Sequence, residues 1–149
     1  MKILLYIGLL LFVCLLPVQS TDVGKLIPVE VIAISERDDR VAVRTDTGNR
    51  GEGATLGEAF SDLQDTAPGT IYLDTAAYLL LEQGTTQQMA DLQGSLKADT
   101  KVCLMEPGIP VEGIAEYLSA HHPGVRLKDA VEVGNLPLLT EKDGQYRIQ

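Results

Sequence analysis

"VEVIAISERDDRVAVRT", Val29 to Thr45, is the stretch on which the fold turns. Val29 to Ser35 begins in apolar–polar alternation and is rich in β-branched residues, and Arg40 to Thr45 alternates throughout. Alternation at period two gives a strand one row of side chains per face. The polar link Glu36-Arg37-Asp38-Asp39 between the two runs makes an antiparallel hairpin the natural reading.

Downstream of the hairpin a glycine-rich link, Thr47 to Ala54, leads into a helix. Thr55 followed by Glu58 is a capping box, in which the hydroxyl accepts from an orphan amide and the glutamate reaches back to another. Leu56, Ala59, Phe60 and Leu63 then share one face at helical spacing. "APGT" at Ala67 to Thr70 ends that segment, and "TIYL" to Leu73 reads as a strand. "AAYLLLEQG" fits strand or helix, with strand favoured for Tyr78 to Leu81. A second helix is expected from Thr85 or Thr86, with Met89, Leu92 and Leu96 inward, then a strand over Val102 to Met105. Pro110 suits the first turn of a third helix, with Val111, Ile114, Ala115 and Leu118 as its apolar face and "HHPG" as its stop. "LPLLTEKDGQYRIQ" closes the chain as two short strands around a Lys142-Asp143-Gly144 turn. The sum is an α+β domain: one mixed sheet, antiparallel hairpins at both ends and about three helices.

The N-terminus has another purpose. "MKILLYIGLLLFVCLLPVQS" carries one positive side chain, Lys2, an apolar run from Ile3 to Leu16, a helix-breaking Pro17 and the small-residue pattern Val18-Gln19-Ser20. This is the architecture of a signal peptide, cleaved after Ser20 or kept as an N-terminal anchor. Cys14 follows bulky Val13 deep in the apolar run, which argues against a lipidated cysteine. The chain is therefore read as exported, with residues 21–149 as a single globular domain, a comfortable length for one core.

Charge narrows the partners. The chain has 12 basic and 21 acidic side chains and a formal net charge of −9. Such a balance argues against nucleic acid, whose phosphates need clustered Lys and Arg. It argues equally against direct attraction of the mature domain to an anionic membrane. Cys103 alone remains after residue 20, so no internal disulfide can form there. In "KVCLME" it reads as a small buried hydrophobe, with an intermolecular disulfide left open.

Asp46-Thr47-Gly48 matches the motif of aspartic proteases, and Asp74-Thr75-Ala76 looks like a weaker copy. Such an enzyme needs two carboxylates sharing one proton in a dry cleft. Asp46, however, follows Arg44-Thr45 and runs into the polar loop Gly48 to Gly53. Asp46 and Asp74 as the acids of a secreted hydrolase thus form the alternative reading, and a small-ligand-binding domain is a further one. Gly48, Gly51 and Gly53 before a helix could cradle an anion. Their spacing fits neither a Rossmann fingerprint nor a P-loop, and Glu52 would repel a phosphate, so they read as an entry loop with backbone freedom. His121 and His122 are adjacent, diverge, and read as helix-end caps rather than metal ligands. No catalytic, cofactor-binding or metal-binding residue is assigned, and no cofactor is expected.

With the elements in order, "GEGATLGEAFSDLQ", "IYLDTAAYLLLEQG" and "KVCLMEPGIPVEGIAEYL" resemble the N-terminal domain of the Ger(x)C family, the C subunits of spore germinant receptors. Gly51, Gly53, Thr55, Leu56, Glu58 and Ala59 occupy its "G-x-G-x-T-L-x-E-A" segment, and Glu82 and Gly84 its "E-x-G". The resemblance runs from about Ile27 to the C-terminus, so the chain reads as a stand-alone exported copy of that domain. It implies a non-enzymatic, protein-binding role with a membrane-associated partner in sporulation or spore germination, and it transfers no binding residue.

Overall fold

The hairpin forms as the alternation requires. In the computed structural model, which describes residues 23–85, 89–122, 124–130 and 133–149, strand β2 (Val31–Arg37) pairs antiparallel with β3 (Arg40–Thr45) from Ile32↔Thr45 to Arg37↔Arg40. Asp38 and Asp39 form the two-residue turn, at φ of 50° and 58°. Positive φ at both positions matches the right-handed twist of the strands, and aspartate tolerates it better than most residues. β1 (Leu26–Pro28) precedes this hairpin.

The link after β3 is a strand rather than the loop its glycines suggest. β4 (Arg50–Gly53) pairs antiparallel with β3, and helix α1 (Leu56–Thr66) lies directly on it. A Cβ on Gly51 would sit 2.2 Å from the Ala59 carbonyl oxygen, and one on Gly53 would sit 2.6 Å from the Ala59 nitrogen. The two glycines serve close approach of helix to strand, not φ freedom. The capping box forms with one shift: Thr55 Oγ1 accepts from the Glu58 amide at 3.2 Å, and Glu58 Oε2 accepts from the Ala54 amide at 2.8 Å. Leu56, Ala59 and Leu63 are buried as expected.

β5 (Thr70–Tyr72) leaves the main sheet and pairs parallel with β1 as a separate two-stranded sheet, where one sheet was expected. β6 (Tyr78–Glu82), α2 (Met89–Ser95), β7 (Lys101–Met105), α3 (Ala115–His121), β8 (Val125–Arg126), β9 (Leu138–Lys142) and β10 (Gln145–Ile148) complete the chain. The main sheet runs β10-β9-β7-β6-β2-β3-β4, with β8 against the start of β7. Its four central strands, β9, β7, β6 and β2, are mutually parallel. Antiparallel hairpins flank them on both sides, the second closed by Asp143-Gly144. The fold is α+β with a mixed sheet and three α-helices among the described residues.

Two expectations about the helices need adjustment. The third helix begins at Ala115, not near Pro110, because Gly113 sits at φ +78° and cannot extend a helix backwards. Val111 and Ile114 are still buried, from the turns before it. Thr85 closes the turn after β6, its amide donating to the Glu82 carbonyl, and is not helical. The other expected start at Thr86, the side chain of Met89 and the segment 1–20 lie outside what is described. Leu92 is buried in α2, and Leu96 just beyond it.

Both faces of the sheet carry a core, which is why β6 reads as an unbroken apolar run. Ile32, Ile34, Val41, Val43, Leu79 and Leu81 meet α1 and Leu92 on one face. On the other, Val31, Ala33, Tyr78, Leu80, Cys103 and Met105 pack under Ile109, Val111, Ile114 and Leu118. That second core takes no residue from β3 or β4. Among the described residues the outer end of the sheet is thus covered by α1 on one face and left open on the other.

Candidate functional site

The two Asp-Thr motifs both hold the entry to β2. The Asp46 carboxylate accepts from the Glu30 amide, 3.2 Å to Oδ1 and 3.3 Å to Oδ2. Thr75 Oγ1 accepts from the Val29 amide at 3.0 Å and lies 2.9 Å from the Val29 carbonyl. Asp74 itself is exposed. Among the described residues no hydrogen bond joins the carboxyl groups of Asp46 and Asp74. The resemblance between the motif copies reflects a shared task, fixing Val29 and Glu30 before the central strand begins.

The open end of the sheet carries a dense cluster of charged side chains. Because β2, β3 and β4 alternate, one face receives Arg37, Ser35 and Ala33 from β2, Arg40, Ala42 and Arg44 from β3, and Arg50 and Glu52 from β4. Register groups these side chains into rungs. Arg37 lies opposite Arg40, Ser35 opposite Ala42 and then Glu52, and Ala33 opposite Arg44 and then Arg50. Four of the six arginines of the chain thereby meet on one face as two like-charged cross-strand pairs. Like charges directly opposite each other destabilise a sheet, so local stability does not explain the pattern.

Two glutamates offset part of the repulsion. Glu82 ends β6 with a side chain only 6% exposed; it accepts from Arg37 Nη2 at 2.7 Å and Nε at 3.2 Å, and lies 3.6 Å from Arg44 Nη2. Glu52 is bonded to Arg50 and lies 3.8 Å from Arg40 Nη2. Each glutamate so bridges an arginine from each outer rung. Glu82, by hydrogen bond and charge, raises the Arg37 guanidinium further above its ordinary value. With two glutamates against four arginines, the floor keeps a net positive charge on a chain that is otherwise acidic.

The floor lines a cleft of about 410 Å³, bounded by these residues with Asp38 and Gly108 at the rim. This lies within the size range of ligand sites. It sits at the carboxyl ends of the parallel strands β2 and β6, the edge where ligands bind in open α/β sheets. Arg37, Arg40 and Arg50 are each more than 60% exposed, so their guanidinium forks are accessible. Planar five-donor forks suit carboxylate and phosphate oxygens. The lining holds no aromatic or large apolar side chain. Its side chains are chemically suited to an anion.

Sequence reasoning missed this cluster, since Arg37, Arg40, Arg44 and Arg50 look scattered in an acidic chain. The alternation of "RVAVRT" already put Arg40 and Arg44 on one face, and that was the available signal. Elsewhere, His121 Nδ1 lies 2.9 Å from the Tyr117 carbonyl and its ring stacks on Tyr117, while His122 ends α3 at φ 45°. Cys103 is buried in β7, and burial pushes its thiol up to about 12, too high for a nucleophile at neutral pH. Among the described residues no group of His, Cys, Asp and Glu is placed to hold a metal, and no helix is long and apolar enough to cross a membrane. No family model, curated protein or solved structure matches the chain.

Proposed function

We propose that the chain is an exported, non-enzymatic binding domain that engages a membrane-associated protein partner through its arginine-lined cleft. The setting is the one implied by the resemblance of its motifs to Ger(x)C proteins, sporulation or spore germination. The observation that carries the binding reading is the placement of Arg37 opposite Arg40 and Arg44 opposite Arg50 on a sheet face that, among the described residues, no helix covers. A folded chain tolerates opposed like charges where an incoming group relieves them. The signal-like first twenty residues support export.

The test is in the cell. A photo-crosslinking residue replaces Pro107, exposed beside Gly108 at the cleft rim. Fractions are then blotted across growth and sporulation, with N-terminal sequencing of the band. The expected result is a membrane-fraction species, starting at Thr21 or still anchored, with a discrete crosslinked partner in sporulating cells. Constitutive release into the medium without a crosslink would refute the reading.

A further inference from the structure

We propose that the cleft takes an extended acidic peptide segment, with two carboxylates about two residues apart seated on the Arg37–Arg40 and Arg44–Arg50 rungs. This rests on the partner-binding reading above and names the chemistry of the partner. Arg40 and Arg44 lie four residues apart on one face of β3, but Glu82 draws the heads of the two rungs together, its carboxylate lying 2.7 Å from Arg37 Nη2 and 3.6 Å from Arg44 Nη2. An extended ligand peptide covers about 7 Å in two residues, so carboxylates at positions i and i+2, on one side of the peptide, can each face one arginine pair.

The floor between the rungs is built to let such a chain pass. Its centre is Ser35 opposite Ala42, two small side chains, while Glu82 and Glu52 stand to either side on β6 and β4. Glu52, Glu82 and the rim residue Asp38 leave the four arginines in excess, so the lining favours an anionic ligand. A compact dianion at the centre would lie between Glu52 and Glu82 and be repelled by both. A long polyanion would extend past the cleft over an acidic chain of net charge −9. The lining also gives a nucleobase no aromatic face to stack on. A short acidic segment is the ligand that places charge only where the arginines are.

The full exported chain is titrated into a labelled peptide of about nine residues carrying two aspartates two positions apart in a Gly/Ser/Ala background, followed by anisotropy at low and high salt. Comparison peptides carry asparagines at those positions or place the two aspartates side by side. Inorganic phosphate and a short oligothymidylate serve as competitors. The spaced peptide is expected to bind at least ~10-fold tighter than either comparison peptide, with binding weakened by salt. Arg40→Gln and Arg50→Gln, both at exposed side chains, should each weaken it by ~10-fold with unchanged melting temperature, and Ala42→Glu should abolish it.

Equal binding of the asparagine peptide, no binding, indifference to spacing, or unchanged affinity in the arginine variants would overturn the proposal. Displacement by phosphate or oligothymidylate at concentrations no higher than that of unlabelled peptide would overturn it too, in favour of a general oxyanion site or a nucleic-acid groove. The parent reading fails separately. If the Pro107 crosslink persists while every peptide fails, the cleft binds a partner of other chemistry; if the peptide binds and no crosslink forms in cells, the membrane partner is what falls.

Discussion

Arg44 of β3 reaches across β2 to Glu82 of β6, its Nη2 lying 3.6 Å from Oε2. The path exists because its register partner on the intervening strand is Ala33. Glu82 also holds Arg37, so one nearly buried carboxylate ties three strands together. Glu82→Gln should lower stability by about 1–3 kcal/mol, at the modest end because both guanidinium groups keep contact with water. Denaturant unfolding measures this, and a double-mutant cycle with Arg44→Gln should return a coupling of at least about 0.5 kcal/mol. Zero coupling would show that the 3.6 Å approach contributes nothing.

Gly51 and Gly53 separate close packing from chain flexibility. Gly51→Ala would drive a methyl group to 2.2 Å from the Ala59 carbonyl and 2.3 Å from the Leu63 nitrogen, both main-chain atoms of α1 that cannot turn aside. The helix must lift off β4, and a loss of about 3 kcal/mol or more is expected. Gly57→Ala is the control: it lies in the same helix with open space around its Cβ position. That change should stabilise by about 0.5–1 kcal/mol. Similar small effects from both substitutions would mean that β4 and α1 are not packed as described.

Some of this was readable in advance and some was not, for physical reasons. The hairpin from Val31 to Thr45 and the helix from Thr55 are written in local patterns, period two and a capping box, so the sequence alone is enough. Gly51 and Gly53 misled because a glycine needed for close approach looks the same as one needed for a turn. The arginine floor depends on the register of β2, β3 and β4 together, and on Glu82, which lies 45 residues from Arg37 in sequence. Non-local pairing of this kind leaves no trace in any short window.

Cys103 supplies a pH test. Burial pushes its thiol up to about 12, whereas an unfolded thiol titrates near ~8.5. Between those values the unfolded chain releases a proton that the folded chain keeps. Its contribution to stability is therefore complete below pH ~8.5 and falls as pH rises through that window, by up to about 1.4 kcal/mol per pH unit. Cys103→Ala should cost about 1 kcal/mol at pH 7 and then lose less than wild type between pH 8 and pH 10. Native protein should also resist a thiol reagent at pH 8 until denaturant is added. Rapid labelling of the folded chain, or identical alkaline losses in both proteins, would contradict the burial of this side chain.

Asp46 decides between a structural and a catalytic aspartate. Its carboxylate holds the Glu30 amide at the entry to β2, next to the Val29 amide and carbonyl held by Thr75. Asp46→Ala frees a main-chain donor at that junction and should cost about 1 kcal/mol in denaturant unfolding. Asp74→Ala, at an exposed side chain, should stay within about 0.5 kcal/mol of wild type. If both are structural, wild type should show no cleavage of a denatured protein substrate from pH 3 to 7 above that of either variant. Acid-pH cleavage lost in both variants, with stability intact, would instead identify a carboxylate pair sharing a proton and revive the hydrolase.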